Sequence, residues 1–308
     1  MITSSPPLIR WRLAQLSSHL VVALIVLIVI GGATRVMEAG LACPDWPLCY
    51  GSLLPGRQMN IQVFLEWFHR LDAFLVGIAL VVQFIVALFF KSALPKWLLW
   101  FYGLLLFLVC VQGGLGAFTV VQLLPSTIVT THLAVALALV SLMSALSQSL
   151  IQIKHSPPPS WWRPMGFISL LLVIVQSLIG GRMATTWTSK KCLIQGIDCE
   201  LLDLHKLFAM PVSAFVLLFV LTAFVTGGWP RQQWPFLIAI TFLIFMQISL
   251  GIASVHFSLA QPILTVSHQL IGALLVSFLA ALSFRRPKPL DQIGFDLTDK
   301  NLLEVCHG

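Results

Sequence analysis

The stretch WLLWFYGLLLFLVCVQGGLGAFTVVQLLPSTIVTTHLAVALALVSLMSALSQSLIQI, residues 97–153, runs for 57 residues without Asp, Glu, Lys or Arg. A soluble domain carries charge at much closer intervals, whereas a membrane-spanning helix needs about 20 apolar residues. The run is long enough for two spans. Leu124-Pro125-Ser126 marks the turn between them, because proline cannot continue a helix. Moving outward, charge-free runs of 22 residues (13–34), 18 (73–90), 18 (164–181), 24 (207–230) and 53 (232–284) complete the chain. The last holds two spans, turned at Ala260-Gln261-Pro262. The spacing predicts eight helices at about 13–34, 63–90, 97–119, 126–150, 164–182, 203–226, 235–256 and 262–284. The segments are continuously apolar and not alternating, which excludes a β-barrel. The first is read as a span and not a cleavable signal, because its apolar stretch is too long.

Composition agrees. Of 308 residues, 58% are hydrophobic and 9% charged, and mean hydropathy is +0.95. Lys and Arg near helix ends set the expected orientation. With the N-terminus inside, the inner segments carry ten (Arg10, Arg12, Lys91, Lys96, Lys154, Arg163, Arg231, Arg285, Arg286, Lys288). The outer loops carry five (Arg35, Arg57, Arg182, Lys190, Lys191). Both termini are therefore expected in the cytoplasm. The net charge of +7 reflects this bias, and no basic soluble face exists for nucleic acid.

This topology puts Cys43 and Cys49 in the first outer loop and Cys192 and Cys199 in the third. An oxidising outer compartment permits disulfides. Four cysteines allow three connectivities, of which pairing within each loop is the simplest. Cys110 and Cys306 read as ordinary thiols.

The two halves repeat. Gly32 precedes Cys43 by eleven residues, as Gly181 precedes Cys192. His69-Arg70 and His205-Lys206 follow the second cysteines. Gln112-x3-Gly116 comes before Pro125 and His132, and Gln247-x3-Gly251 before Pro262 and His268. A duplicated four-helix unit has an even number of spans, so both copies share one orientation. His69, His132, His205 and His268 fall on alternate helices, each entering from the outer side. At 1.5 Å per residue, His132 and His268 lie about 10 Å inside. An imidazole in lipid must face the bundle interior and find a partner. Four interhelical hydrogen-bonding histidines are the plainer alternative. Their placement by an internal repeat favours two pairs, each gripping a porphyrin iron. Zinc lacks thiolates at that depth. His19, His155 and His307 fail the symmetry, and His256 stands near an outer helix end.

The copies differ at one place that matters. Glu66 lies three residues before His69, on the same face, whereas Leu202 holds that place before His205. A carboxylate there is a candidate proton handler. Pairing with Arg70 or Arg35 is the simpler alternative. The asymmetry favours one catalytic half and one electron-transfer or structural half.

Taken together, GGATRVMEAGLACPDWPLCYG (31–51), EWFHRLD (66–72), QGGLGAFTV (112–120), THL (131–133), CLIQGIDCELLDLHK (192–206) and SHQ (267–269) resemble the haem A synthase family. The form is the bacterial one with two outer cysteine pairs, and the resemblance runs from about Gly31 to Ala281. It implies an all-α integral membrane enzyme of two pseudo-symmetric four-helix bundles. Residues 1–155 would take haem O at His69 and His132. Residues 156–284 would hold haem b at His205 and His268, and 285–308 would form a cytoplasmic tail. The implied activity oxidises a ring methyl of haem O to a formyl, giving haem A for cytochrome oxidase. The implied functional residues are Glu66, Cys43 and Cys49. Propionates at the outer edge would meet Arg70 and Arg35 in the substrate half, and Lys206 and Arg182 in the other. Expected partners are the lipid bilayer, haem O synthase and the oxidase assembly apparatus, in a bacterial inner membrane. Rival readings are a diheme b-type cytochrome without substrate chemistry, a thiol–quinone oxidoreductase and a haem transporter.

Overall fold

A computed structural model describes residues 6–153, 157–185 and 199–287. Lys190, Lys191, Cys192, His155, His307, Cys306 and the tail from 288 onward lie outside the described residues. Eight helices are long and apolar enough to cross a membrane. They are α1 (Pro6–Val36), α2 (Ile61–Phe89), α3 (Lys96–Val121), α4 (Ser126–Leu150), α5 (Trp162–Thr185), α6 (Glu200–Val225), α7 (Trp234–His256) and α8 (Pro262–Phe284). The protein is an all-α integral membrane protein, as the charge spacing predicts.

The boundaries differ where a charged residue tolerates a helix end. α1 starts at Pro6 and not near 13. Prolines suit a first turn whose N–H groups have no partner, and Arg12 is exposed. α6 starts at Glu200 with Asp203 in its first turn, where acids suit the helix dipole. Asn60 caps α2 by accepting from the Gln62 and Val63 N–H groups.

Within residues 6–150, α1–α2, α2–α3, α3–α4 and α1–α4 are in contact. α5–α6, α6–α7, α7–α8 and α5–α8 make the same circuit. The circuits meet through α1, α4, α5 and α8. Small residues let the central helices approach closely. Ser144 of α4 and Ser277 of α8 hydrogen-bond at 2.9 Å between fully packed faces that include Val140, Met143, Ala273, Val276 and Ala280. At the end away from the cysteine loop, two-residue strands β1 (Gln152–Ile153) and β2 (Arg286–Pro287) pair in parallel and tie the ends of α4 and α8. There the Trp162 Nε1–H reaches the Leu282 carbonyl at 3.4 Å, and its ring packs on Phe219.

The two sharp turns at the cysteine-loop end share one geometry. Leu123 and Leu124 take φ of 59° and 60°, and Ser258 and Leu259 take 51° and 58°. In each, the second residue's N–H closes onto a carbonyl five residues back, Thr119 and Ser254. Pro125 then stands at the N-cap of α4, and Pro262 opens α8.

Candidate functional site

The four histidines rest on glycine. A Cβ built on Gly31 would lie 3.2 Å from the Cε1 of His69. On Gly116 it would lie 3.5 Å from His132 Cε1, on Gly180 2.9 Å from His205 Cε1, and on Gly251 3.2 Å from His268 Cε1. At Gly180 a Cβ would force the ring to move, at Gly31 and Gly251 the ring would have to give by a few tenths of an ångström, and at Gly116 the contact is ordinary packing, so glycine lets backbone and ring approach most closely at the first three. Each ring also meets a backbone carbonyl four residues before its glycine: Leu27, Gln112, Gln176 and Gln247. In His268 the contact is a hydrogen bond, with Nδ1 3.1 Å from the Gln247 oxygen. A donor role for Nδ1 leaves Nε2 with the free lone pair. That lone pair accepts from the Gln247 amide at 3.2 Å. The Gln176 amide lies 3.1 Å from His205 Nδ1 and donates to the His205 carbonyl at 2.7 Å.

The rings come together in pairs. His205 and His268 have centroids 6.3 Å apart, edge to face. His69 interacts electrostatically with His132, and the Nδ1 atoms of both are buried without a hydrogen bond.

Glu66 sits beside the first pair and is 5% exposed. Its Oε1 meets Arg70 Nη2 at 2.5 Å, and its Oε2 accepts the Cys43 backbone N–H at 2.8 Å. Arg70 also binds the loop: Nη1 donates to the Asp45 and Leu48 carbonyls, both at 2.6 Å, and Nη2 reaches the Cys43 carbonyl at 3.4 Å. A propionate at Arg70 would have to displace these bonds. Cys43 and Cys49 form a disulfide and are buried with Val63 against Met59 and Trp67. The loop is fastened further by Trp67 Nε1–H to the Leu53 carbonyl at 2.6 Å and by the Cys49–Ser52 backbone pair. The Asp45 carboxylate accepts the Tyr50 and Gly51 N–H groups at 2.6 and 2.8 Å. These bonds, the Gly51 one foremost, hold its carboxyl below the usual range. Leu202, in Glu66's place in the second copy, is buried and apolar. Cys199 is disulfide-bonded; the expected Cys192–Cys199 pair lies partly outside the described residues.

The remaining cations are dispersed. Lys206 makes an exposed pair with Asp203 at 3.4 Å. Arg182 Nη1, on α5, donates to the Ser126 hydroxyl of α4 at 2.7 Å. Arg35 Nη2, on α1, lies 3.4 Å from Gln269 Oε1 of α8. Each of the last two reaches into the other four-helix circuit. Sequence reasoning missed Gln176 and Gln269. For Gln176 the signal was present, since Gln176-x3-Gly180 repeats the spacing of the two Gln-x3-Gly pairs.

The profile of the COX15-CtaA family, described as cytochrome oxidase assembly protein, matches residues 14–197. The chain belongs to the COX15-CtaA family. Similar proteins include the heme A synthase of Shewanella oneidensis, 26% identical over an alignment 314 positions long that covers 84% of this chain and 92% of that one. The heme A synthase of Sphingopyxis alaskensis is 25% identical over an alignment 320 positions long that covers 84% and 88% of the two chains. That of Granulibacter bethesdensis is 25% identical over an alignment 316 positions long that covers 82% of each.

The donor set of this COX15-CtaA chain fits a porphyrin iron. Among the described residues, no three His, Cys, Asp or Glu side chains gather to hold an ion. A bare metal would find two imidazoles, whereas a porphyrin brings four nitrogens of its own. His205 and His268, which come from two different helices, would be the residues to hold such a group. The His205–His268 pair stands at 6.3 Å.

Proposed function

We propose that the protein is a haem A synthase, with haem O bound at His69 and His132 and haem b at His205 and His268. The supporting observation is the repeated placement of glycine beside each histidine, with His205 and His268 paired at 6.3 Å between ring centroids. Family membership and the names of the relatives support the activity. Haem b, when bound, supplies a one-electron acceptor next to the substrate half. The chain's own residues do the rest. His69 and His132 fix the substrate macrocycle, and apolar helix faces accept its isoprenoid tail. Glu66 takes protons released as the methyl is oxidised, or stabilises positive charge that develops there. Arg70 and the Cys43 N–H hold its two oxygens in place. Arg35 and Arg182, each of which reaches across to the other four-helix circuit, suit propionates. The disulfide keeps the loop closed over Glu66. We place both termini in the cytoplasm of a bacterial inner membrane, with haem O synthase and cytochrome oxidase assembly as partners.

The test is co-expression with a source of haem O, followed by extraction and mass analysis of haems. Haem A or its hydroxylated precursor is the expected product. Bound but chemically unchanged haems would instead make the protein a diheme b-type cytochrome.

A further inference from the structure

Each copy carries a Gly-Gly pair, and the two glycines of a pair do different things. The first beds the histidine of its own half: Gly31 under His69 and Gly180 under His205. The second packs on the other half. A Cβ on Gly32 would lie 2.1 Å from Oε1 and 2.7 Å from Cδ of Gln269, the residue after His268. A Cβ on Gly181 would lie 2.5 Å from Cδ2 of Leu133, the residue after His132. Within two residues, α1 therefore touches one histidine of the first pair and the neighbour of one histidine of the second. α5 makes the reciprocal link. The links differ in chemistry. Leu133 offers only packing. Gln269 donates from Nε2 to the Ile28 carbonyl of α1 at 3.0 Å and lies 3.4 Å from Arg35. The Ile28 carbonyl stands next to Leu27, whose carbonyl meets the His69 ring.

We propose that Gln269 is a positioning residue that couples the two histidine pairs through α1, so that filling one pair changes the affinity of the other. This rests on the reading that both pairs take haem. A shift of either histidine on binding moves a side chain held against the same turn of α1, and closely packed interiors transmit such displacements. Coupling between binding sites is reciprocal and is typically 5–150-fold.

The experiment titrates the full chain, purified from haem-deficient cells, with iron protoporphyrin IX and follows the Soret band. His69→Ala and His268→Ala each leave one pair and give its affinity alone. In the intact chain the two-site titration should depart from the product of those affinities by about fivefold or more. Gln269→Leu, which copies Leu133, should bring that ratio to one while both single-pair affinities hold. Gly32→Ala should do the same by displacing the Gln269 amide, a flexible chain end. Loss of coupling in either variant supports the proposal. Independent binding in the intact chain, or undiminished coupling in both variants, overturns it alone. Absence of any Soret band overturns it together with the haem reading.

Discussion

Glu66 is a carboxylate with both oxygens committed, one to Arg70 and one to the Cys43 amide. Glu66→Gln keeps an acceptor for that amide and removes the charge. Haem content should stay unchanged while haem A formation falls by about a hundredfold, the scale of a lost proton-transfer group; extracted haems report both. Normal haem A yield would remove Glu66 from the chemistry. The Arg70 pair was legible as an i, i+4 partner on one helix. The Cys43 bond was not, because it closes over 23 residues of sequence and depends on how the loop folds back. Asp45 gives the loop a pH signature. Its folded carboxyl is held below the ordinary 3.8, first by the Gly51 N–H. Its contribution is therefore full above that value and is lost as pH falls through the lower folded value. Proteolytic protection of the loop should be flat from neutral pH to about 4 and fall below it, and Asp45→Asn should abolish the step.

At the scale of helices, the glycine beds are the repeated device. Their spacing was visible as a repeat, yet sequence alone gave no reason for it, since the partner of each glycine lies 16 to 38 residues away on the next helix in order. Gly180→Val, on the tightest of the four contacts, should cost the haem at His205 and His268 and spare the other pair. Haem-to-protein ratio and the reduced spectrum measure this. Retention of both haems would show that the bed is dispensable. The disulfide belongs to this scale too. Cys43 and Cys49 are 0% and 1% exposed, which shields them from thiol exchange. Replacing both by serine removes a short loop closure, a loss of about 2 kcal/mol, and should expose the loop to protease while haem stays bound. Rapid reduction of the native bond by external thiol would argue instead for a redox role.

For the molecule as a whole, eight spans could be read from the spacing of charge, because burying a charge in lipid costs more than any local preference can repay. The turns were legible from Pro125 and Pro262. What could not be read is which helices meet, and hence that Arg35 and Arg182 each reach across to the other circuit of helices. Lys and Arg counts predict that both termini face the cytoplasm. A C-terminal fluorescent fusion should therefore glow and a phosphatase fusion stay inactive; the reverse would invert the topology.

The most direct measurement is the low-temperature electron paramagnetic resonance and visible spectrum of the purified protein. Iron held by His205 and His268 should give a Soret band and a low-spin ferric signal of two axial imidazoles, both lost in His268→Ala. A colourless protein, or a spectrum indifferent to that substitution, would contradict it.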